Sequence, residues 1–256
     1  SMCFAYSGRC LISSLQSGRV PNRGSCANDC RFPYELYAHN EESGTLFKVT
    51  EDPEGVEGTH IFNAKDLNLS QHLDEILESG LIDSLKIEGR TKSSYYVGIT
   101  TRTYAQALWD YAQGRPNKAW YAAELDTTKN RGFSDGYLIN RPFEKAGEQN
   151  LDTQISEGSH QVIGEVCEDG EHFLCKYKTY PGESSEIVLP PGTHVPSTQN
   201  EIGSVWQDGG RHYLILHKIL TQSGKELDSV HSGNTNPIRL PTPLPAYTFL
   251  RRELTE

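Results

Sequence analysis

The chain has 256 residues, of which 36% are hydrophobic and 23% charged, and its formal net charge at pH 7 is −10. This length and composition are typical of a soluble globular protein with one large domain or two ordinary ones, and no run of 18 apolar residues predicts a membrane span. The acidic balance argues against a general nucleic-acid-binding surface, which is usually basic, but it leaves room for a local basic patch.

The first thirty residues contain four of the six cysteines. These four are spaced C-x6-C-x15-C-x3-C: Cys3, Cys10, Cys26 and Cys30. They lie among Gly, Ser, Asn and Arg rather than on an apolar periodic face, which favours convergence on a metal ion or an iron–sulfur cluster. Nearby arginines would lower the thiol pKa values and favour the metal-binding thiolate: Arg9, Arg19, Arg23 and Arg31. Buried thiols and disulfides are the alternatives, and the spacing leaves the metal open.

The next hundred residues alternate between short apolar runs and helical patterns. The predicted elements are, in order, a short strand at 32–37, an exposed loop or hairpin at 41–58, a buried strand at 60–63, a helix from Ser70 to Gly80, a strand at 84–89, a helix from Ser93 or Ser94 to Gly114, and a helix at 118–128. Alternation of strand and helix is typical of a parallel α/β unit.

Charged residues follow two of these predicted strands. In a barrel of α/β units, functional groups lie on loops at the C-terminal ends of the strands. Asp66 comes after one predicted strand, and Glu88 and Arg90 end or follow the next. We interpret the three as a candidate catalytic group, although salt bridges that brace a barrel rim use the same residue types. Lys86 and Lys92 beside them are candidates for binding substrate.

After residue 145 the pattern of strands and helices changes to one of short strands. Residues 1–145 are predicted to form the α/β part with the cysteine cluster, residues 146–159 a polar linker, and residues 160–256 a small all-β barrel. Its predicted strands lie at 161–167, 172–178, 186–189 and 211–220. Cys167 and Cys175 fall near facing positions of a predicted hairpin, so we interpret them as packing residues rather than metal ligands.

Several motifs resemble a known family, the collagenase-like peptidases of unassigned catalytic type, or family U32. The motifs are MCFAYSGRCLIS, RGSCANDCR, IFNAKDL, SLKIEGRTKSSYYV, the RGFSDGY that begins at Arg131, and the closing PLPAYTFLRR. They run from Met2 to Arg252, and within the family they are similar to the branch that hydroxylates tRNA. The family's first motif normally begins a few residues earlier, after a long N-terminal half, so we expect this chain to be a piece of a longer protein.

The resemblance implies a fold and a chemistry. It implies the last part of a TIM-like barrel followed by a small β-barrel, in a cytoplasmic protein that helps to form 5-hydroxyuridine at the wobble position of tRNA without molecular oxygen. The implied partners are tRNA and prephenate as the anionic oxygen source, and the implied cofactor is a [4Fe–4S] cluster on the four N-terminal cysteines, with zinc or no metal possible in the truncated form. Arg9 and Arg23 would then help to bind substrate.

Two other functions stay open at this stage. The family name suggests hydrolysis of collagen-like peptides, with Glu88 or Asp66 as the acting carboxylate. Against it, the sequence contains no H-E-x-x-H motif, no G-x-S-x-G elbow and no recognisable Cys–His–Asn signature. The third hypothesis is non-catalytic, with the β domain as an interaction module for RNA or a partner chain. The sequence does not indicate an oligomeric state.

Overall fold

The computed structural model describes residues 10–32, 34–49, 64–90, 92–136, 138–139 and 158–254. The chain divides into two compact units, of which the first comprises Ser1–Glu78 and Lys129–Glu157 and the second Ser79–Thr128 and Gly158–Glu256. None of the helices in the described ranges is long and apolar enough to cross a membrane. Most of the predicted linker, residues 146–157, lies outside the described residues, and the predicted domain boundaries stay a prediction.

The first unit is built from short elements. They are helix α1 (Ile12–Ser17), two 3-10 turns (Pro21–Arg23 and Asp29–Arg31), strands β1 (Leu36–Asn40), β2 (Thr45–Val49) and β3 (Asp66–Leu67), helix α2 (Leu73–Glu78) and strand β4 (Phe133–Ser134). The antiparallel hairpin of β1 and β2 lies in the region predicted to hold a strand followed by a loop or hairpin. Its turn is fixed by Asn40, whose Oδ1 accepts the backbone N–H groups of Glu42 and Ser43.

Strands β3 and β4 form a parallel pair. Asp66 lies opposite Phe133 and Leu67 opposite Ser134, and the pairing is extended because the Asn68 amide donates to the Ser134 carbonyl at 2.8 Å. Parallel pairing after a long connection is what an α/β unit requires. Helix α2 falls inside the helix predicted at 70–80, whereas the strand predicted at 60–63 lies outside the described residues. In the described ranges this is the one parallel pair, so a TIM-like barrel stays a prediction.

Two helices of the second unit begin at the positions that the sequence predicts. Helix α3 (Ser94–Ala112) begins after Ser93, whose Oγ accepts the Tyr96 amide at 3.2 Å. Helix α4 (Lys118–Asp126) begins after Asn117, whose Oδ1 accepts the Trp120 amide at 3.2 Å. A side chain that caps an orphan N–H defines a helix start locally. Both predicted helices are therefore confirmed.

The strand predicted at 84–89 is wrong. Residues 84–89 form an exposed stretch without regular structure, in which Leu85 and Ile87 remain 38% and 37% exposed. An apolar, β-branched run becomes a strand only when a neighbouring strand takes its backbone hydrogen bonds, and no strand among the described residues pairs with it.

The second unit is dominated by antiparallel strands. They are β5 (His160–Val166), β6 (His172–Cys175), β7 (Ser184–Val188), β8 (Thr198–Gln199), β9 (Gly203–Asp208), β10 (Arg211–Leu216), β11 (Ile219–Leu220), β12 (Glu226–Leu227), β13 (Ile238–Arg239) and β14 (Phe249–Glu253). Eight of them form one curled sheet in the order β13-β6-β5-β14-β7-β10-β9-β8, while β11 pairs with β12. The predicted all-β domain is thus confirmed, but as a half-barrel with two sheet edges.

The inner face of the curled sheet carries the main apolar core. Its fully buried members include Ile163, Val166, Phe173, Val205, Leu214, Ile238 and Leu250. The predicted hairpin over VCEDGEHFLC is confirmed by the antiparallel pairing of β5 with β6. Gly164 is required there, since a Cβ at this position would lie 2.4 Å from the Phe173 ring. Cys175 belongs to this core and Cys167 is partly buried, and burial raises the pKa of both thiols.

Helix α3 packs on the outer face of the same sheet. Tyr95 and Ile99 contact Val188, and the Tyr95 ring meets the edge of Phe249 with centroids 5.3 Å apart. Gly98 allows the approach, because a Cβ there would lie 2.8 Å from the Phe249 ring. The sequence assigned α3 and α4 to the α/β part, but in the structure both helices group with the sheet.

A fully buried arginine joins the helices to the sheet. Arg251 of β14 is 0% exposed, and its guanidinium donates two hydrogen bonds to Glu124 of α4, at 2.9 and 3.0 Å, and two to Glu186 of β7, both at 2.9 Å. Burial alone would lower the pKa of Arg251, but the hydrogen bonds and charges of the two carboxylates outweigh burial and raise it. Arg102 also donates to Glu124, and Arg211 to Glu186. We call these five residues the Arg251 network.

The Arg251 network predicts that stability depends on pH in the acid range. Burial raises the pKa of Glu186, yet the hydrogen bonds and charge of Arg251 outweigh burial and lower it below the ordinary 4.5. A lowered folded-state pKa contributes stability above the unfolded pKa and loses it as pH falls through the folded pKa. We therefore expect the unfolding free energy of the second unit to decrease from about pH 5 to about pH 3.

The expected pH dependence can be measured by urea denaturation followed by tryptophan fluorescence, because Trp109, Trp120 and Trp206 all lie in the second unit. Replacement of the buried carboxyl in Glu186→Gln should flatten the curve. The matched control is Glu183→Gln, whose carboxylate pairs with Arg252 at the surface and is 33% exposed. Equal slopes for wild type and Glu186→Gln would contradict the expectation.

Candidate functional site

Three of the four N-terminal cysteines lie in the described part of the first unit. Cys10, Cys26 and Cys30 are each partly buried, and none of them is in a disulfide. Cys3 and the predicted substrate-binding residue Arg9 lie outside the described residues. The described thiols therefore represent part of the predicted ligand set.

The loop that carries Cys26 and Cys30 is tied to helix α1 by side-chain hydrogen bonds. Ser13 Oγ accepts the Ala27 amide at 3.0 Å, and Ser17 Oγ donates to Asp29 Oδ2 at 3.1 Å. Asp29 is buried, and its carbonyl also accepts the hydroxyl of Tyr34. Hydrogen bonds from neighbouring polar groups hold the metal-binding side chains of such a loop in place. The loop is thus an ordered frame for its two thiols.

The turn after Cys26 directs a backbone N–H at the sulfur. Asn28 has φ 61° and ψ 28°, a left-handed conformation that non-glycine residues adopt uncommonly, and its amide donates to Cys26 Sγ at 3.3 Å. Local strain of this kind persists where the surrounding structure enforces it. Hydrogen bonds to cysteine sulfur are one of the means by which proteins tune iron–sulfur clusters.

Arg31 lies in the same electrostatic neighbourhood as these thiols. Its pKa is lowered, first by burial and then by repulsion from Arg131, while Cys30, Asp66 and Cys26 act in the opposite direction. The interactions place two guanidinium groups, one carboxylate and two thiols close enough to influence one another. Such a cluster of guanidinium groups favours bound anions.

Asp66, one of the predicted catalytic residues, forms a buried ion pair with Arg131. Arg131 Nη2 donates to Asp66 Oδ1 at 2.7 Å, and the Arg131 amide lies 3.4 Å from Oδ2. Asp66 is 3% and Arg131 6% exposed. The pair joins the start of β3 to the residue before Gly132, whose carbonyl accepts the Asp66 amide. Bracing is therefore one role of Asp66, and its catalytic role stays a prediction.

Neutralising Asp66 is expected to destabilise the first unit by about 3–5 kcal/mol. Asp66→Asn keeps the size of the side chain but leaves the buried guanidinium of Arg131 without its carboxylate, next to the repelling charge of Arg31. Hydrogen exchange of the amides in β3 and β4 should accelerate accordingly. Glu35→Gln is the matched control, since Glu35 pairs with Lys48 at the surface. Unchanged exchange in Asp66→Asn would indicate that the carboxylate does not brace the unit.

The other described site residues that the sequence predicts lie at the surface, except Lys92, which is partly buried. Arg23 is exposed in its 3-10 turn, in the first unit. Glu88, Arg90, Lys86 and Lys92 belong to the second unit, and the Lys86–Glu88 ion pair of 2.9 Å has side chains that are 84% and 68% exposed. A hydrogen bond from Lys86 lowers the pKa of Glu88. Lys92 Nζ lies 4.8 Å from the centre of the Tyr96 ring. Roles for these residues stay predictions.

Sequence reasoning missed Arg31 and Arg131 as members of the site. Arg131 opens the RGFSDGY motif, which was the available signal, but its partner Asp66 lies 65 residues earlier. Arg31 is predicted from the sequence to lower the thiol pKa values, but not to bind substrate. Pairing over such separations is decided by the tertiary fold rather than by local pattern.

The donor chemistry at this site fits a thiolate-bound metal group. It comprises unbridged thiols on an ordered polar loop, a backbone N–H that reaches Cys26 Sγ, and the guanidinium of Arg31. In the ranges that the structure describes, no group of three or more His, Cys, Asp or Glu side chains is already gathered around a metal position. The predicted fourth ligand, Cys3, is not among those residues.

Comparison with known proteins identifies similar sequences. The sequence model of Peptidase family U32 matches residues 1–148. The chain is 56% identical over 254 residues to tRNA hydroxylation protein P of Helicobacter pylori, which covers 99% of this chain and 60% of the relative. It is 29% identical over 231 residues to tRNA hydroxylation protein P of Escherichia coli, covering 75% of this chain and 51% of the relative.

A third relative is named for its action on a different RNA. The chain is 32% identical over 149 residues to a 23S rRNA 5-hydroxycytidine synthase of Escherichia coli, which covers 55% of this chain and 21% of the relative. The chain thus spans at most 60% of the length of these three relatives. No solved structure matches it.

Proposed function

The chain belongs to peptidase family U32, and we propose that it is part of an enzyme that hydroxylates tRNA. The observation that carries the proposal is 56% identity over 99% of the chain to a protein named for tRNA hydroxylation. The similarity to an rRNA 5-hydroxycytidine synthase supports the same reaction class on a second RNA. The proposed product is 5-hydroxyuridine at the wobble position, formed without molecular oxygen and with prephenate as the oxygen source.

We further propose that Cys3, Cys10, Cys26 and Cys30 hold a [4Fe–4S] cluster. When bound, such a cluster supplies one-electron redox chemistry. The proposal is supported by the unbridged thiols and by the Asn28 amide that donates to Cys26 Sγ. Free thiols of this kind stay reduced in the cytoplasm, which is the proposed location.

The arginines of the first unit have a separate proposed role. Arg31 lies in the electrostatic neighbourhood of the thiols, and its guanidinium is partly buried. A guanidinium binds carboxylates and phosphates through paired hydrogen bonds, which suits a dicarboxylate such as prephenate or the tRNA backbone. Arg9 and Arg23 would add positive charge. Arg131 is held by Asp66 and would act by positioning that region rather than by binding substrate itself.

The proposed fold of the whole protein is a TIM-like barrel followed by the half-barrel sheet. The parallel pair of β3 and β4 supports it, because parallel strands linked through helices are the building unit of such barrels.

The function is tested in a strain from which the gene is deleted. We expect its tRNA to lack 5-hydroxyuridine when nucleosides are measured by mass spectrometry, and the full-length gene to restore the modification in the absence of oxygen. Unchanged 5-hydroxyuridine in the deletion strain, under conditions in which no second hydroxylase is expressed, would overturn the proposal.

Peptidase activity is the second candidate, favoured by the family's name. Its predicted carboxylates are engaged in ion pairs, Asp66 with Arg131 in a buried site and Glu88 with Lys86 at the surface. The candidate predicts gelatin cleavage by protein free of contaminating proteases, and loss of cleavage in Glu88→Gln. Restored tRNA modification without gelatin cleavage would decide in favour of hydroxylation.

A further inference from the structure

Two aromatic rings stack against each other on the outer face of the half-barrel sheet. Trp206 of β9 and Tyr213 of β10 are directly opposite in register, with ring centroids 5.6 Å apart and planes inclined by 23°. Their neighbours along each strand, Val205 and Leu214, are 2% exposed and belong to the core. Because successive side chains of a strand alternate between faces, both rings must point away from the core.

The rings are partly exposed, in contrast to the aromatic residues nearer the helices. Helix α3 packs on the outer face at Val188 and Phe249, and its Tyr95 is 5% exposed. The Trp206–Tyr213 pair lies on the neighbouring strands, and both of its rings retain access to solvent. The sheet therefore presents a stacked, solvent-accessible aromatic pair beside its helix-covered part.

One exposed guanidinium borders the aromatic pair. Arg211 precedes Tyr213 by two residues on the same face, and its side chain is 39% exposed. It donates to Glu186, which already accepts two hydrogen bonds from Arg251, and it does so although Asp208 lies opposite it in register. With Asp208 counted, the three guanidinium groups of the Arg251 network are set against three carboxylates, so the charges balance, and Arg211 is the most exposed of the three guanidinium groups.

On its other side, the aromatic pair is bordered by polar groups that can form hydrogen bonds with a nucleic-acid base. Ser204 lies two residues before Trp206 on the same face, and its hydroxyl is 3.1 Å from Nε2 of the exposed His217. Proteins that bind single-stranded nucleic acids combine aromatic rings, on which bases stack, with cations that follow the backbone. A stacked aromatic pair with access to solvent, one exposed arginine and a hydroxyl–imidazole pair together match this description.

We propose that Trp206 and Tyr213 form a stacking platform for unpaired bases of single-stranded RNA, with Arg211 at the adjoining phosphate. This inference rests on the proposed function, and it names the β domain as the part that holds the RNA substrate through an unpaired region such as a loop. The same pair could stabilise the sheet alone, because cross-strand aromatic pairs do so. The two roles differ in what they predict for RNA binding.

The test measures binding of a fluorescent, unstructured ten-nucleotide RNA to the 256-residue chain by anisotropy. Trp206→Leu and Tyr213→Leu keep apolar bulk on the sheet but remove the aromatic face. We expect each to weaken binding by about 5- to 150-fold, and Trp206→Phe to retain most of it. Arg211→Gln should weaken binding and reduce its salt dependence by about one phosphate contact.

The control is Trp109→Leu, since Trp109 is a 59% exposed tryptophan on α3, away from the pair. It should leave RNA binding unchanged. Because a variant can also lose its fold, RNA is titrated into the wild-type chain as well, and quenching of tryptophan fluorescence that is absent in Trp206→Phe supports stacking on Trp206. Wild-type affinity in Trp206→Leu, or binding of a proline-rich peptide in place of RNA, overturns the proposal.

The outcome is separable from that of the hydroxylation test. If the deletion strain keeps its 5-hydroxyuridine but RNA binding depends on Trp206, the proposed reaction fails and the platform stands. If the gene restores 5-hydroxyuridine while Trp206→Leu binds RNA normally, the reaction stands and the platform is wrong.

Discussion

Replacing Arg251 with methionine is expected to destabilise the second unit by about 3–5 kcal/mol. Methionine fills much of the same volume but removes the four hydrogen bonds to Glu124 and Glu186, and those to Tyr95 and Thr127. Buried Glu124 and partly buried Glu186 then keep one arginine each, but each loses two hydrogen bonds from a guanidinium. Removing a charged, hydrogen-bonded partner from a buried group costs far more than the net contribution of a surface ion pair.

Arg252→Met provides a matched control at the next residue. Arg252 pairs with Glu183 at 2.8 Å, but these side chains are 28% and 33% exposed. Its loss should cost at most about 1 kcal/mol. Both variants are measured by urea denaturation with tryptophan fluorescence, which reports on the second unit because all three tryptophans lie there.

A compensating variant makes the argument about charge testable. If the cost in Arg251→Met arises from carboxylates that have lost hydrogen bonds, the double variant Arg251→Met, Glu186→Gln should recover part of the lost stability, since a buried ionic group can often be replaced by a neutral one at little cost. Arg211, the other partner of Glu186, is 39% exposed and stays hydrated in this variant. A double variant less stable than Arg251→Met would show that packing, rather than charge, determines the loss. Equal stability of Arg251→Met and Arg252→Met would contradict the structural account.

The elements that the sequence predicts correctly are those defined by neighbouring residues. Helix α3 begins after Ser93 and helix α4 after Asn117. Each of these side chains accepts the backbone N–H of the residue three positions later. The β5–β6 hairpin follows from alternating residues around a Gly-containing turn. Such signals depend on short-range contacts, so a single sequence carries them.

The features that the sequence misses depend on distant contacts. Arg251 meets Glu124 across 127 residues and Glu186 across 65, and no local pattern specifies either partner. The same holds for the grouping of α3 with the sheet through Phe249. The predicted strand at 84–89 fails for the related reason that a strand requires a partner, which its own residues do not supply.

The candidate site likewise has parts that the sequence predicts and parts that depend on distant contacts. The cysteines could be predicted from their number, spacing and polar surroundings. The frame that orders their loop could not, because it depends on the bond between Ser13 and Ala27 and on the left-handed Asn28. The ion pair of Asp66 with Arg131 is likewise a product of the parallel strand pair.

Full-length protein purified without oxygen is expected to contain about four irons and four sulfides per chain, and Cys26→Ser is expected to lose them. Serine has nearly the size of cysteine but offers a hard oxygen donor, which an iron–sulfur cluster accepts poorly in place of a thiolate. Position 26 is the sharpest choice because its sulfur also accepts the Asn28 amide. Hydroxylation of tRNA should be lost together with the iron.

Cys167→Ser is the control for the loss of a thiol as such. Cys167 belongs to the second unit, on the β5–β6 hairpin, and burial raises the pKa of its thiol, which disfavours the thiolate that binds metal. It should keep iron, sulfide and activity. One tightly bound zinc in the wild-type protein would instead make the cysteine site structural and contradict its redox role. Absence of any metal, with tRNA hydroxylation intact, would reduce the four thiols to packing residues and move the chemistry to the charged groups around Arg31 and Asp66.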